Sequence, residues 1–299
     1  MAENGLVTEA GGDPTAGYET RGTLELVELM NDGDSTVPAA VAAAAPAIAG
    51  VVDATAERLR DGGRLVYVGA GSSGMIAALD ASECEATFSI PPGVVIALVA
   101  GGVGAPALAQ AEAEDDRERG AQDLLALGLG RADIVIGVSA SGSTPYVLGA
   151  LESCRSTEAL TACVVAAPRS ALGGLVEREV AVVVGPEFLS GSTRLKAGTA
   201  QKLVLNTIST ISMIRLGKTY GNLMVDVAAA NEKLAARVRR IVATASGASR
   251  HQVDDALAAA DGDVRVAIVS LLAGVDAEAA RRRLDHSDRS IAAALELTE

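Results

Sequence analysis

The sequence predicts an α/β protein: a doubly wound, five-stranded parallel sheet followed by a small helical C-terminal domain. Five short runs are apolar nearly throughout and rich in β-branched residues, as parallel strands buried on both faces are. The stretches between them are long enough for crossover helices. Of 299 residues 49% are apolar, yet there is no Trp and only two Phe. The core must therefore be Ala, Val, Leu and Ile, which suits close-packed layers of helix and sheet.

Residues 1–20 are Gly-rich and polar and read as an arm or loop. "TLELVELMN" (23–31) has Leu24, Leu26, Val27 and Met30 near helical spacing. A second helix is expected over roughly 37–60, stopping at Gly62–Gly63. Its first part, "VPAAVAAAAPAIAGVV" (37–52), is short, Ala-rich and runs into charged residues, so it reads as a buried helix, not a membrane span. The strands are "RLVYVG" (64–69), "VVIALVA" (94–100), "DIVIGVS" (133–139), "ACVVAA" (162–167) and "VAVVVG" (180–185). "STRLKAGTAQKLVLNTISTISMIRLG" (192–217) then reads as one helix, capped by Ser192 or Thr193 and closed by Gly217. From about 225 onward the chain is helical and charged, punctuated by Gly247, Gly262 and Gly274.

The formal charge of −13 argues against nucleic acid, which is held by Lys and Arg stripes. A phosphorylated small molecule needs only a few donors. Three cysteines (Cys84, Cys154, Cys163), with no C-x-x-C spacing, argue against a disulfide framework or a zinc site and for a reducing cytoplasm. "MAENGLVTEAGGDPTAG" has no basic or apolar region of the kind that makes a signal peptide.

Ligands of open parallel sheets bind beyond the carboxyl ends of the strands. "GAGSSG" (69–74) follows the first strand, "SASGST" (139–144) the third and "GPEFLSGSTRLK" (185–196) the fifth. Each leads into a helix N-terminus, where backbone N–H groups suit an anion and serine hydroxyls add donors. Gly69, Gly71 and Gly74 spell the G-x-G-x-x-G of a dinucleotide turn. That reading requires an acid at the end of the second strand, and "LVAGGVG" has none. No G-K-[ST] follows the glycines, so a P-loop is absent as well. A phosphate-and-sugar site remains, against the plain alternative that Gly and Ser merely make turns and caps.

Two carboxylates stand near these loops. Glu83 lies among Ala, Leu and Cys, where burial is expected to raise its pKa. Glu114 lies in "EAEDDRER", which also reads as a solvated charged face. Such a pair divides acid and base work if the fold brings it together. Asp80 reads as an orienting or capping residue, and His251 and His286 as surface residues.

"YVGAGSSG", "LDASEC", "AEDD", "ASGSTPYVLGALE", "SGSTRLKAGTAQKLVLN" and "GKTYGNLMVDV…NEKL" together resemble the N-acetylmuramic acid 6-phosphate etherase family. That family belongs to the sugar-isomerase (SIS) domain proteins, alongside glucokinase regulatory protein, and the resemblance runs from about residue 23 to the end. It implies an SIS-type three-layer α/β/α sandwich over 46–235, an N-terminal arm and helix over 1–45, and a UBA-like helical domain over 236–299. It implies a homodimer and a cofactor-free lyase that breaks the C3 ether to D-lactate on an amino-sugar 6-phosphate. Glu83 and Glu114 are then the catalytic residues. Gly71, Ser72, Ser73, Ser141, Ser143, Thr144, Ser192 and Lys196 are then the substrate-binding residues, with no metal.

The family's G-T-S-G-R, A-S-G-R-T-P-Y and T-E-x-R-N strings each lose an Arg here, at Met75, at Ser143 and in "TEAGG" (8–12). Its S-C-N-P and E-C-P-P become "AAP" (166–168) and "ECEA" (83–86). Arg is suited to bidentate contacts with carboxylate or phosphate. Two alternatives to the etherase therefore stand: related elimination, hydration or epimerisation on a different amino-sugar phosphate, and a non-catalytic phosphosugar sensor.

Overall fold

The computed structural model describes residues 17–226 and 232–297; the "TEAGG" segment lies outside them. A short 3₁₀ turn at Tyr18–Thr20 leads into α1 (Thr23–Asp34), α2 (Val37–Ala43) and α3 (Ala45–Arg60). The helix expected over 37–60 is thus two helices, with a 60° bend at Ala44. Pro46 has no N–H to give the preceding turn, and Ala44 tightens that turn with a bond to the Val41 carbonyl (3.0 Å). α3 buries Ile48, Val51, Val52 and Leu59. No single helix among the described residues is long and apolar enough to cross a membrane.

The sheet elements follow in alternation: β1 (Leu65–Gly69), α4 (Gly71–Phe88), β2 (Val95–Val99), α5 (Ala107–Glu114), α6 (Arg117–Leu125), β3 (Ile134–Ser139), α7 (Pro145–Ser153), β4 (Leu160–Val165) and β5 (Arg178–Ala181). All five strands are parallel, in the order β2-β1-β3-β4-β5. β4 and β5 begin two residues earlier than the apolar runs suggest. Past Ala181 the apolar "VVV" has no facing strand residues, and after Val182 donates to the Val165 carbonyl (2.8 Å) it leaves the ladder. β1, β3 and β4 are buried at every position. The topology reverses between β1 and β3, so the loops after these two strands flank the switch-point crevice.

The opposite end of the sheet is pinned by charge. Asp133 accepts from the Arg64 backbone N–H (2.8 Å), from Arg64 Nε (3.0 Å) and Nη2 (2.7 Å), and from the Gly130 N–H (2.8 Å). Burial opposes its charge, but the Arg64 side chain and the two amides overcome this and hold its carboxyl below the usual range. A depressed folded-state pKa stabilises above the ordinary aspartate value of 3.8 and is lost as pH falls through the folded value. Arg64→Ala is therefore expected to cost about 2 kcal/mol at neutral pH and much less in acid. Thermal melts of both proteins between pH 7 and pH 3 check this.

α6 and α7 meet backbone to backbone. A Cβ at Gly149 would strike the Arg117 carbonyl, and one at Gly120 the Tyr146 carbonyl. Cys84, Cys154 and Cys163 are all buried, and none is in a disulfide among the described residues. Burial pushes the Cys154 and Cys163 thiols up to about 12.

The chain divides into two compact units, one reaching Ser82 and resuming over Gly93–Ser209, the other made of Glu83–Pro92 and the chain from Thr210. α8 (Lys196–Arg215) is followed by Gly217 in the left-handed region (φ 69°). The second unit holds a hairpin, β6 (Thr219–Tyr220) and β7 (Leu223–Met224), in a segment whose sequence shows no strand pattern. It continues with α9 (Glu232–Ser246), α10 (Arg250–Ala259), α11 (Val264–Ala273), α12 (Ala277–Asp285) and α13 (Ile291–Glu296). Val242, Val266, Ile268 and Leu284 centre its core. Inside it Arg265 pairs with Asp226 (2.5 Å) and donates to the Arg289 carbonyl (2.7 Å).

Candidate active site

The glycines of "GAGSSG" divide their work. A Cβ on Gly69 would come within 2.8 Å of the Gly74 backbone, and one on Gly74 within 2.8 Å of the Gly69 carbonyl. The first and third glycines thus let β1 and α4 pack directly together. Gly71 has φ +50°, which favours glycine, and opens α4. The Gly74 N–H donates to the Ala70 carbonyl (3.0 Å), while the Gly71, Ser72 and Ser73 amides have no intrahelical acceptor, so with the exposed Ser72 and half-buried Ser73 hydroxyls they form a donor cluster.

Glu114 comes to this cluster. A Cβ built on Gly71 would lie 3.8 Å from Glu114 Oε2. The residue is half-buried, although its neighbours Asp115–Arg119 are exposed, so the solvated-face reading fails at this position. Burial first, and then the charge of Asp115, raise its pKa above the usual glutamate range.

In the loop after β3, Ser139 is buried and its Oγ lies 2.8 Å from Thr144 Oγ1 and 3.3 Å from Ser141 Oγ. The same Oγ accepts the Gly142 N–H (3.0 Å), while Ser143 donates its hydroxyl to Ser141 Oγ (3.0 Å). Gly142 takes φ +68° with Ser170 pressed against it, leaving no room for a side chain. Thr144 is buried and helps hold the loop, whereas Ser143 is exposed and Ser141 half-buried. Ser139, the first residue of the motif, is the support the sequence reading missed.

The loop after β5 differs from the expectation. α8 begins at Lys196, and the residues from Leu189 to Leu195 form turns before it. Neither Ser192 nor Thr193 caps the helix. The buried Glu187 carboxylate accepts the Lys196 N–H (2.9 Å) and the Ala197 N–H (2.9 Å). The anion position of this third helix terminus is therefore filled by the chain itself, and an external anion is not needed there. Lys196 is buried, and its Nζ donates to the Val184 carbonyl (2.8 Å). Ser192 is half-buried within the turns. Glu187 lies nine residues before the helix it caps, and no local pattern in the sequence marks it. The loop is also held by Phe188, whose ring stacks on Tyr18 at 4.7 Å.

Glu83 is exposed, which corrects the expectation of burial. A helix turns about 100° per residue, so Asp80, Ala81 and Cys84 face inward while Leu79, Ser82 and Glu83 face outward. Met75, in place of the family's Arg, is also on the outward side and is 41% exposed. Among the described residues no group of three or more His, Cys, Asp or Glu is arranged to hold a metal.

Over residues 24–155 the chain matches the family described as glucokinase regulatory protein N-terminal SIS domain. It is 55% identical to an N-acetylmuramic acid 6-phosphate etherase of Streptomyces avermitilis, over 97% of this chain and 93% of that one. Its likeness to the N-acetylmuramic acid 6-phosphate etherase of Serratia proteamaculans is 50%, over 97% and 98% of the two chains. Among solved structures it is similar in fold to a phosphoheptose isomerase from Francisella tularensis. The TM-score is 0.54 at 22% identity, over 65% of this chain and 100% of that one.

Proposed function

This chain belongs to the N-acetylmuramic acid 6-phosphate etherase family, and from that premise we propose how its residues cleave the lactyl ether. The enzyme is a carbon–oxygen lyase. In the open-chain sugar the C1 aldehyde acidifies the C2–H bond. Glu83 takes that proton, the C3–O bond breaks with its electron pair on oxygen, and Glu114 protonates the departing D-lactate. Water then adds across the new C2=C3 double bond at C3. The aldehyde serves as the electron sink, so the chemistry calls for no cofactor.

The amides and hydroxyls of Gly71, Ser72 and Ser73, with Ser141 and Ser143, take the phosphate and sugar hydroxyls. Thr144, Ser192 and Lys196 act from behind, as supports of the two later loops. The observation that carries this reading is the Glu114 carboxylate beside Gly71, desolvated and held toward its protonated form. A protonated carboxyl is what a leaving alkoxide requires. Incubation with N-acetylmuramic acid 6-phosphate is expected to release D-lactate. No lactate under any condition would overturn the assignment.

The raised pKa has a kinetic consequence. Glu114 must be protonated, so its ionisation sets the basic limb of the rate profile. The negative charge of Asp115 contributes to the upward shift. Asp115→Asn is expected to move that limb to lower pH, read from kcat against pH.

We read the protein as a homodimer. Met75 and Leu79 on α4, and Leu24 and Val27 on α1, are large apolar residues left 41% to 70% exposed, more than a lone soluble chain needs. Sedimentation at the mass of two chains tests this. A cytoplasmic location is supported by the three buried cysteines, none of which is in a disulfide among the described residues.

A further inference from the structure

Two exposed cations stand on the loops beyond the carboxyl ends of the strands, Arg169 after β4 and Arg194 after β5. The steps above use neither. Lys196, at the start of α8, is buried and spends its Nζ on the Val184 carbonyl. The donors assigned above to the phosphate are neutral amides and hydroxyls, whereas a phosphate is held most firmly by a charged donor.

Arg169 has a costly backbone. It follows Pro168 in a turn and takes φ +54°, in the left-handed region that favours glycine. Glycine would relieve the strain, so an arginine held in that conformation points to a use for its side chain. That side chain is exposed and makes no hydrogen bond or ion pair among the described residues.

The turn is fixed against the serine loop that follows β3. The Leu172 N–H donates to the Gly142 carbonyl (2.9 Å), and the Ala166 N–H to the Ala140 carbonyl (3.0 Å). A Cβ on Gly142 would lie 2.3 Å from Ser170 Cβ, so the residue after Arg169 touches the residue before Ser143. Ser170 is itself held: its Oγ accepts the Gly173 N–H (2.9 Å) and donates to Glu179 Oε1 (3.2 Å). Arg169 is thus rooted beside Ser141 and Ser143.

The sheet indicates which anion it meets. β4 pairs with β3 and β3 with β1, so β4 stands two strand spacings, about 10 Å, from β1. Glu114, beside Gly71 after β1, marks the end where C2 and C3 react. The lactyl carboxylate hangs on C3 and belongs to that end. The 6-phosphate lies at the far end of the open-chain sugar, toward β3, β4 and the start of α7.

We propose that Arg169 takes the 6-phosphate of the substrate and makes the site select phosphorylated sugars. The proposal rests on the etherase reading above and deepens it. Ser143 stands where the family string has Arg, and Arg169 returns a cation to the same pair of loops.

The experiment compares the parent with Arg169→Gly, which suits the backbone at this position. Arg169→Gly is expected to melt at or above the parent temperature. Its KM for N-acetylmuramic acid 6-phosphate should rise about tenfold or more, with kcat within about twofold. Calorimetric binding of the lactate-free sugar, N-acetylglucosamine 6-phosphate, should weaken by a similar factor. Should the turn loosen in Arg169→Gly, Arg169→Asn also tolerates the left-handed region and carries the same test.

Parent-like KM and sugar-phosphate binding would overturn the proposal. So would a fall in kcat at unchanged KM. A raised KM with parent-like binding of N-acetylglucosamine 6-phosphate would move Arg169 to the lactyl carboxylate and overturn the phosphate assignment. Absence of lactate from the parent would overturn the etherase reading alone, because the binding comparison needs no turnover and still decides what Arg169 does.

Discussion

Glu83→Ala is expected to cut lactate release by about 1000-fold or more, with the melting temperature unchanged. The two halves of this result have separate causes. Loss of the base removes the group that takes the C2 proton, and general-base removal is worth about 100- to 10,000-fold. Stability is spared because Glu83 is exposed and sits within a helix, where alanine is the best-tolerated residue. Deuterium incorporation at C2 should vanish together with lactate. Near-parental turnover in the folded variant would remove Glu83 from the mechanism.

Gly149→Ala is expected to have the opposite profile, destabilising the protein by about 3 kcal/mol or more and lowering Tm by roughly 10 °C. The added methyl would meet the Arg117 carbonyl on α6 and come within 2.8 Å of Arg117 Cγ. Backbone on both sides leaves nothing flexible to yield, so α6 must move away from α7. α7 carries the Ser141–Thr144 loop at its start, and α6 follows directly on Glu114. Activity is therefore expected to fall even at temperatures where the variant is folded. Gly33→Ala is the control: it lies in α1 with open space around it and should be neutral or slightly stabilising. Calorimetry of the three proteins settles the comparison.

What could be read from the sequence was what depends on local pattern. β-branched apolar runs announce buried parallel strands, and Gly-Ser-Thr clusters after them announce ligand loops. Five strands in a parallel sheet, with helical structure following, were legible on those grounds. Features that depend on distant residues were not. Glu187 caps α8 from nine residues upstream, across a loop with no regular pattern. Asp80 shows nothing in the sequence of its bond to Asn206, which lies 126 residues away. The facing of Glu83 turned on helix phase, because "LDASEC" mixes inward and outward residues within one turn. Glu114 looked like part of a solvated run, and its half-burial and its approach to Gly71 set it apart from the exposed Asp115 and Asp116. The break at Ala44 could have been anticipated from Pro46, which cannot continue a hydrogen-bonded helix from behind.

The raised thiol pKa values of Cys154 and Cys163 make these residues clocks. Only a thiolate attacks a disulfide reagent at appreciable rate, and at neutral pH both thiols are protonated and out of solvent. Label can enter only when the sheet and α7 open. The rate of colour release from an aromatic disulfide in native buffer then counts opening events, amide exchange transposed to sulfur. A variant such as Gly149→Ala, buried in α7 five residues before Cys154, should run that clock fast well below its melting point.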